Sequence, residues 1–451
     1  MSSVAGSRRT QRWTTAVTLG GTVATALTVT AAGSLSAQQT EEAAMARWVD
    51  DHRSEAVELL EQITNINSYT LNPPGVREVA DVLAPEFEAL GFDVRWIDGS
   101  AFDRAGHLFA ERRGSGTRML LIGHLDTVFP EADPFDSFRR VDETTVAGPG
   151  VGDMKGGLVI ILQTLQALDE QGLLEDTNIT VAMIGDEERT GSPSELARRD
   201  LIDAARWADV ALGFEGLETA NSAAIARRGG TGWTLTAKGI RGHSSRIFDD
   251  EIGFGAVFEA ARILNAFREE FAGEEFLTFS PGLLLGGSEV ERDPVTSSGS
   301  ASGLSNVVAE TVVATGDLRT ISGAQGQRVI DRMTEIASDN LPGTSATLEF
   351  RGVPSGMPPK PGSERLFKMY DETSRDLGFG PIDLISPMRL GGADISTAAP
   401  HVDGALAAIG GMGSGWHSSA ETADLEKIAI RTKLAASLIL RLSQREWDQG
   451  R

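Results

Sequence analysis

Apolar residues recur every three or four positions from about Glu42 to Ile66 and again from Val76 to Leu90, which predicts two amphipathic helices. The second stops at Gly91, ahead of the strand-like run Phe92 to Ile97. Short apolar runs then alternate with helical patterns. Met119 to Ile122 and the β-branched Ile179 to Ile184 read as buried strands, Leu158 to Leu168 as a helix between them, and Val210 to Leu212 as a further strand. From about Arg227 to Phe350 the texture changes: Thr231 to Ala237 alternates, Phe254 to Phe271 is helical, Val307 to Asp317 is strand-like and Gln327 to Ser338 is helical. A second α/β unit inserted into the first is therefore expected, with the Gly/Ser-rich stretch Ser297 to Ser305 as a loop within it. Glu364 to Gly378 then predicts a helix, Ala405 to Ile409 a buried strand, and Leu425 to Leu442 a long closing helix. This alternation implies an α/β fold.

Composition narrows the chemistry. The 451 residues are enough for two or three cores. Acidic residues number 64 against 41 basic ones, and the net charge of -23 repels phosphate backbones and anionic lipid, so no nucleic-acid partner is expected. Without a single cysteine there is no disulfide, thiol nucleophile or thiolate metal site. Any metal must rest on His, Asp and Glu, and only six histidines exist. At the start, Arg8, Arg9 and Arg12 precede an uncharged stretch from Trp13 to Thr40, with small residues Ser34 and Ser36 just before Ala37. That pattern reads as an export signal over residues 1–36, and predicts a periplasmic or secreted protein. The run is long enough for a membrane anchor, but its Gly and Thr content makes it only weakly apolar, so no stable anchor is expected.

Polar clusters follow the expected strands. Gly123-His124-Leu125-Asp126-Thr127-Val128 comes directly after Met119 to Ile122, so His124 and Asp126 project to one side at a strand's carboxyl end, where ligands bind in open α/β sheets. His124 could also be a satisfied core histidine. Next, Gly148-Pro149-Gly150-Val151-Gly152-Asp153-Met154-Lys155-Gly156-Gly157 presents one carboxylate at a helix start. A phosphate cradle is the other reading of that turn, although neither G-x-x-x-x-G-K-[ST] nor G-x-G-x-x-G occurs there. Gly185-Asp186-Glu187-Glu188-Arg189-Thr190-Gly191-Ser192 follows Ile179 to Ile184 and, alone, would pass for a solvated charge run. Leu212-Gly213-Phe214-Glu215-Gly216 and Gly411-Met412-Gly413-Ser414-Gly415-Trp416-His417 complete the set. Together they offer two imidazoles, terminal carboxylates and one carboxylate to share, which is what a pair of divalent ions needs.

The succession GHLDTV, GPGVGDMKGG, DEERTGS, FE and a late GxGxxH, with an insertion between the last two, resembles the M20 family of co-catalytic zinc metallopeptidases, in particular its glutamate-carboxypeptidase-like branch, from about residue 45 onward. The resemblance implies a catalytic domain at 45–226 and 352–451, a mixed sheet flanked by helices, interrupted at 227–351 by an α/β lid that also dimerises. It implies two Zn2+ per chain, one on His124 and Glu215, the other on Glu188 and His417, with Asp153 bridging. Glu187 is implied as general base and Asp126 as the carboxylate orienting His124. In the lid, His243 of Gly239-Ile240-Arg241-Gly242-His243-Ser244 is implied to stabilise the reacting carbonyl, from the other subunit in dimeric members. Asn306 and Arg319 are implied to contact the substrate carboxylate and backbone, and Gly391 and Gly392 to form a substrate loop. Glutamate-releasing members carry an extra arginine after the lid, where this chain has Val353.

The expected activity is that of an exported carboxypeptidase, hydrolysing the amide next to a C-terminal amino acid with metal-activated water. An N-acyl-amino-acid deacylase on the same scaffold breaks an equivalent bond, and a peptide-binding module that lost its chemistry should lack a ligand or the base, which this chain does not. His52, His107 and His401 are expected to be solvated or structural, and Lys155 to serve as a site cation or to cap its turn.

Overall fold

The structure is a computed structural model and describes residues 38–217, 221–294, 296–352 and 355–447; the expected export signal and Val353 lie outside these. The described residues divide at Ala44/Met45 into two units. Of the first, residues 38–44 are described and are helical.

The larger unit is built on a six-stranded sheet in the order Asp93–Asp98, Gly106–Arg112, Asn178–Ile184, Arg118–His124, Val210–Gly213, Gly404–Leu406. The first two junctions are antiparallel, and the last four strands are mutually parallel. Parallel strands need long crossovers and bury both faces, which accounts for the unbroken apolar runs in the central strands. One face carries the helices Arg53–Thr64, Pro73–Ala89, Gly156–Glu170, Pro361–Asp376 and Leu425–Ser443 over a core that includes Leu121, Leu158, Leu165, Tyr370 and Leu438. The other carries Arg199–Trp207 and Asp394–Ala398 over Leu120, Ile184, Leu201 and Ile395. A fully buried leucine in such a core contributes about 1.5–3 kcal/mol.

Local chemistry sets the helix ends. Pro73 and Pro74 occupy the first turn of Pro73–Ala89, where a missing N–H costs nothing, so this helix begins three residues before its apolar periodicity does. Asp424 caps Leu425–Ser443 by accepting the amides of Glu426 at 2.9 Å and Lys427 at 3.1 Å.

A second, antiparallel sheet runs Thr278–Gly287, Thr311–Thr320, Arg227–Gly239, Thr344–Arg351, with helices Gly255–Phe271 and Gly323–Ser338 over one face and a core of Trp233, Leu235, Phe267, Leu318 and Val329. Its alternating pattern is that of a sheet with one buried face. Arg227–Gly239 has two sets of partners: Arg227 and Arg228 pair with Gly356–Met357, and the residues from Gly229 onward pair with Thr311–Thr320 and Thr344–Arg351. One expectation is corrected here. Ser298–Ser302, inside the stretch read as a loop, is a strand paired with Glu289–Asp293. Both strands stand largely in solvent, so backbone hydrogen bonds hold the hairpin and no alternation of side chains marks it.

Candidate metal centre

The carboxyl ends of the parallel strands converge on one acidic pocket. His124 ends its strand, Glu187 and Glu188 follow Asn178–Ile184, and Glu215 follows Val210–Gly213. Asp153 lies in the turn Val151–Lys155 leading into Gly156–Glu170. His417 follows the short strand Gly413–Ser414 with a φ of 58°, in the left-handed region that non-glycine residues seldom occupy.

Asp153 stands between the two histidines. Its Oδ1 is 3.2 Å from His124 Nε2, and its Oδ2 is 3.2 Å from His417 Nε2. His417 Nε2 is also 3.2 Å from Glu188 Oε2. Potential ligand atoms of His124, Glu187 and Glu188 lie within 4.8 Å of one another, as do those of Asp153, Glu188 and His417. Glu215 belongs to neither cluster, and its carboxylate is paired with the Arg227 guanidinium.

Charge in this pocket is unbalanced. Burial, reinforced by Glu215, pushes the Glu187 carboxyl well above its ordinary value, and burial also raises Glu188. Burial alone would lower His124, yet Asp126 and Asp153 hold it well above its usual range. Asp153 and Glu188 raise His417 to about 10. Burial opposes ionisation of Asp153, but the two imidazoles outweigh it and keep that carboxyl far down. Glu188 Oε1 is buried and accepts no hydrogen bond. A buried acceptor without a donor, among imidazoles and carboxylates, fits a divalent cation of the borderline kind.

Supporting groups surround the centre. Asp126 is fully buried; its carboxylate accepts the amides of Glu187 at 3.0 Å and Glu188 at 3.1 Å and the Thr70 hydroxyl at 2.6 Å. His124 Nδ1 lies 3.0 Å from the Asp126 carbonyl and 3.5 Å from its carboxylate. Asp126 therefore orients the Glu187–Glu188 turn as well as the histidine. Glu421, buried and not anticipated from sequence, accepts the amides of Gly152 at 2.9 Å and Asp153 at 3.0 Å, and its burial raises its carboxyl to about 7. Its partners are backbone groups, so no motif could have pointed to it beyond its place four residues after His417. Lys155, its ammonium lowered by burial to about 7, donates to the Ile66 carbonyl at 3.0 Å and so ties its turn to the first helices.

The pocket, about 380 Å³, is lined by Asp153, Glu187, Glu188, Glu215, Arg227, Arg389, Gly391, Gly392, Trp416 and His417. Arg319 lies beside it: a side chain on Gly391 would meet its guanidinium. His243 and Asn306 do not line this pocket. They sit together in the second sheet's loops, where the Ser244 amide donates to the Asn306 carbonyl at 2.8 Å, and both are solvent-accessible. A larger groove of about 490 Å³ between Arg53–Thr64 and Leu425–Ser443 contains no comparable set of groups.

Known proteins place this arrangement. The carboxypeptidase G2 of Pseudomonas sp. (strain RS-16) is 26% identical over 401 residues, covering 87% of this chain and 90% of the relative. The structure of aminopeptidase PepT from Bacillus cereus superposes with a TM-score of 0.68 at 16% identity, over 86% of this chain and 98% of that one. That of the Bacillus subtilis YXEP protein, described as a dinuclear metal binding peptidase, superposes with a TM-score of 0.58 at 14% identity, over 88% and 99%. At such identities the two structures speak for the fold. The pattern described as peptidase family M20/M25/M40 matches residues 120–441, the greater part of the chain, and the chain belongs to that family of metallopeptidases.

Proposed function

We propose that the protein is an exported di-zinc carboxypeptidase, releasing a C-terminal amino acid from a small peptide or an N-acyl-amino acid. The observation that carries this reading is Asp153, with one oxygen directed at each of two histidines that lie far apart in the sequence. His124 and Glu215 would hold one Zn2+, His417 and Glu188 the other, and Asp153 both. When bound, zinc supplies Lewis-acid polarisation of the carbonyl and acidification of water.

The chain's own residues do the rest. Glu187, buried beside Glu188, takes the proton of the attacking water at its carboxylate and delivers it to the leaving amine. The Gly391–Gly392 loop and Arg319 receive the substrate backbone and carboxylate, and the small pocket suits a short substrate. Export rests on the arginine-led, uncharged start of the chain. His243 and Asn306 are proposed to act on a neighbouring subunit's pocket. The second sheet exposes Val257, Phe258 and Leu284, at 51%, 50% and 58%, along a helix and an edge strand, a surface that a second copy of the chain would cover.

The test is chromatographic. Zinc-loaded protein incubated with a mixed panel of dipeptides and N-acyl-amino acids is expected to release free C-terminal amino acids. Failure to cleave any amide of that panel, with two zinc ions bound per chain, would overturn the reading.

A further inference from the structure

Arg227 is placed to do more than begin a strand. Its side chain is 8% exposed, and each of its guanidinium nitrogens is used. Nη1 donates to the Glu215 carboxylate, Nε to the Gly391 carbonyl at 3.0 Å, and Nη2 to the Gly392 carbonyl at 3.2 Å. One rigid, planar fork therefore touches an expected metal ligand and both glycines of the expected substrate loop. Its backbone pairs with Met357 at the point where the chain leaves for the second sheet.

The chemistry of this contact is directional. A carboxylate has two oxygens, and a guanidinium that holds one leaves the other facing the pocket. A ligand so held binds an ion through a single oxygen and arrives already oriented, which is the means by which outer partners raise metal affinity. The neighbouring donors do not share this support: Glu188, Asp153 and His417 are held by the amides at Asp126 and Glu421 and by one another. Loss of the Arg227 fork should fall on one ion and spare the other.

We propose that Arg227 is a positioning residue that presents Glu215 to the ion it shares with His124 and fixes the Gly391–Gly392 loop at a set distance from that ion. This rests on the two-ion reading above. The two roles are separable, because a lysine can replace the charge on Glu215 but cannot reach both carbonyls with one ammonium.

The experiment uses the zinc-loaded full chain, dialysed against graded chelator, with zinc per chain counted by elemental analysis and folding followed by circular dichroism. In Arg227→Gln, one ion should leave at a free-zinc level roughly 10- to 100-fold higher than in the wild type, while the other is retained as before. In Arg227→Lys, both ions should stay, and KM for the best substrate of the panel should rise about tenfold with kcat nearly unchanged. A merely structural arginine would loosen both ions together, and that result overturns the proposal, as does retention of both ions by Arg227→Gln at wild-type strength. If Arg227→Gln does not fold, the lysine variant decides: an unchanged KM or joint loss of both ions overturns it. Fewer than two zinc ions on the wild-type chain would overturn the two-ion reading and this proposal with it, whereas two ions there and an indifferent Arg227→Gln overturn this proposal alone.

Discussion

Glu187 and Glu188 are adjacent in sequence, and the roles proposed for them, base and ligand, differ. Asp126 accepts both of their amides, so the turn is rigid and its two carboxylates are fixed relative to each other. Glu187→Gln should keep both metal ions and lose several orders of magnitude in kcat, since the proton acceptor is gone but the ligands remain. Glu188→Gln should lower zinc content instead. Elemental analysis beside steady-state kinetics separates the two, and near wild-type turnover in Glu187→Gln would assign the base elsewhere. Glu421 acts at one remove. By accepting two successive amides it sets the orientation of Asp153, so Glu421→Ala should weaken zinc retention roughly 10-fold or more without touching a ligand. Unchanged retention in a folded Glu421→Ala protein would show that the turn holds itself.

His107 links three elements. It lies in the strand Gly106–Arg112, is buried to 1% exposure, accepts the Gly185 amide at Nδ1 at 3.1 Å and donates from Nε2 to the Ala197 carbonyl at 2.9 Å. Burial lowers its pKa, with Asp186 and Asp200 acting upward and Arg198 downward. The unfolded chain, with an ordinary imidazole near 6.5, then binds a proton that the folded chain refuses. Its contribution to stability is fully present above about pH 6.5 and is lost as the pH falls from there toward the lowered folded value. His107→Gln preserves a donor and an acceptor and cannot titrate. Denaturant midpoints measured between pH 5 and 8 should show a wild-type advantage that shrinks on acidification, and a difference independent of pH would refute this. In the same strand neighbourhood, sequence periodicity found the central strands but passed over Gly106–Arg112 and Thr344–Arg351. Thr344–Arg351 is an edge strand buried on one side, which weakens its apolar signal, and Gly106–Arg112, though internal and buried, has its apolar run cut short by Gly106 and His107 at one end and Glu111 and Arg112 at the other.

At the scale of the whole molecule, the position of His243 poses the sharpest question. Within one chain it does not line the carboxylate pocket, so the role proposed for it requires that the second sheet move or that another subunit supply it. His243→Ala should lower kcat strongly and leave zinc content unchanged. Mixing inactive Glu187→Gln and His243→Ala subunits should restore roughly a quarter of wild-type activity if sites are shared, the statistical share of intact sites in an equal mixture of exchanging dimers. No recovery, with exchange demonstrated, would show that the histidine acts within its own chain or not at all.

The α/β alternation and the candidates His124, Asp153, Glu187, Glu188, Glu215 and His417 could be picked out from the sequence, because local periodicity specifies strands and helices and because imidazole and carboxylate groups clustered around apolar strand ends stand out from it. What the tertiary structure alone decided were relations between distant segments. Only folding sets Asp153 between histidines 29 residues before it and 264 after it, gives Glu421 its two amides, and turns Arg227 onto Glu215 and the glycine loop. The contacts to Gly152, Asp153, Gly391 and Gly392 end on backbone groups, which every residue carries and no motif can announce. The hairpin Glu289–Asp293 with Ser298–Ser302 was hidden for the same reason, since a ladder of backbone hydrogen bonds in solvent asks nothing of its side chains.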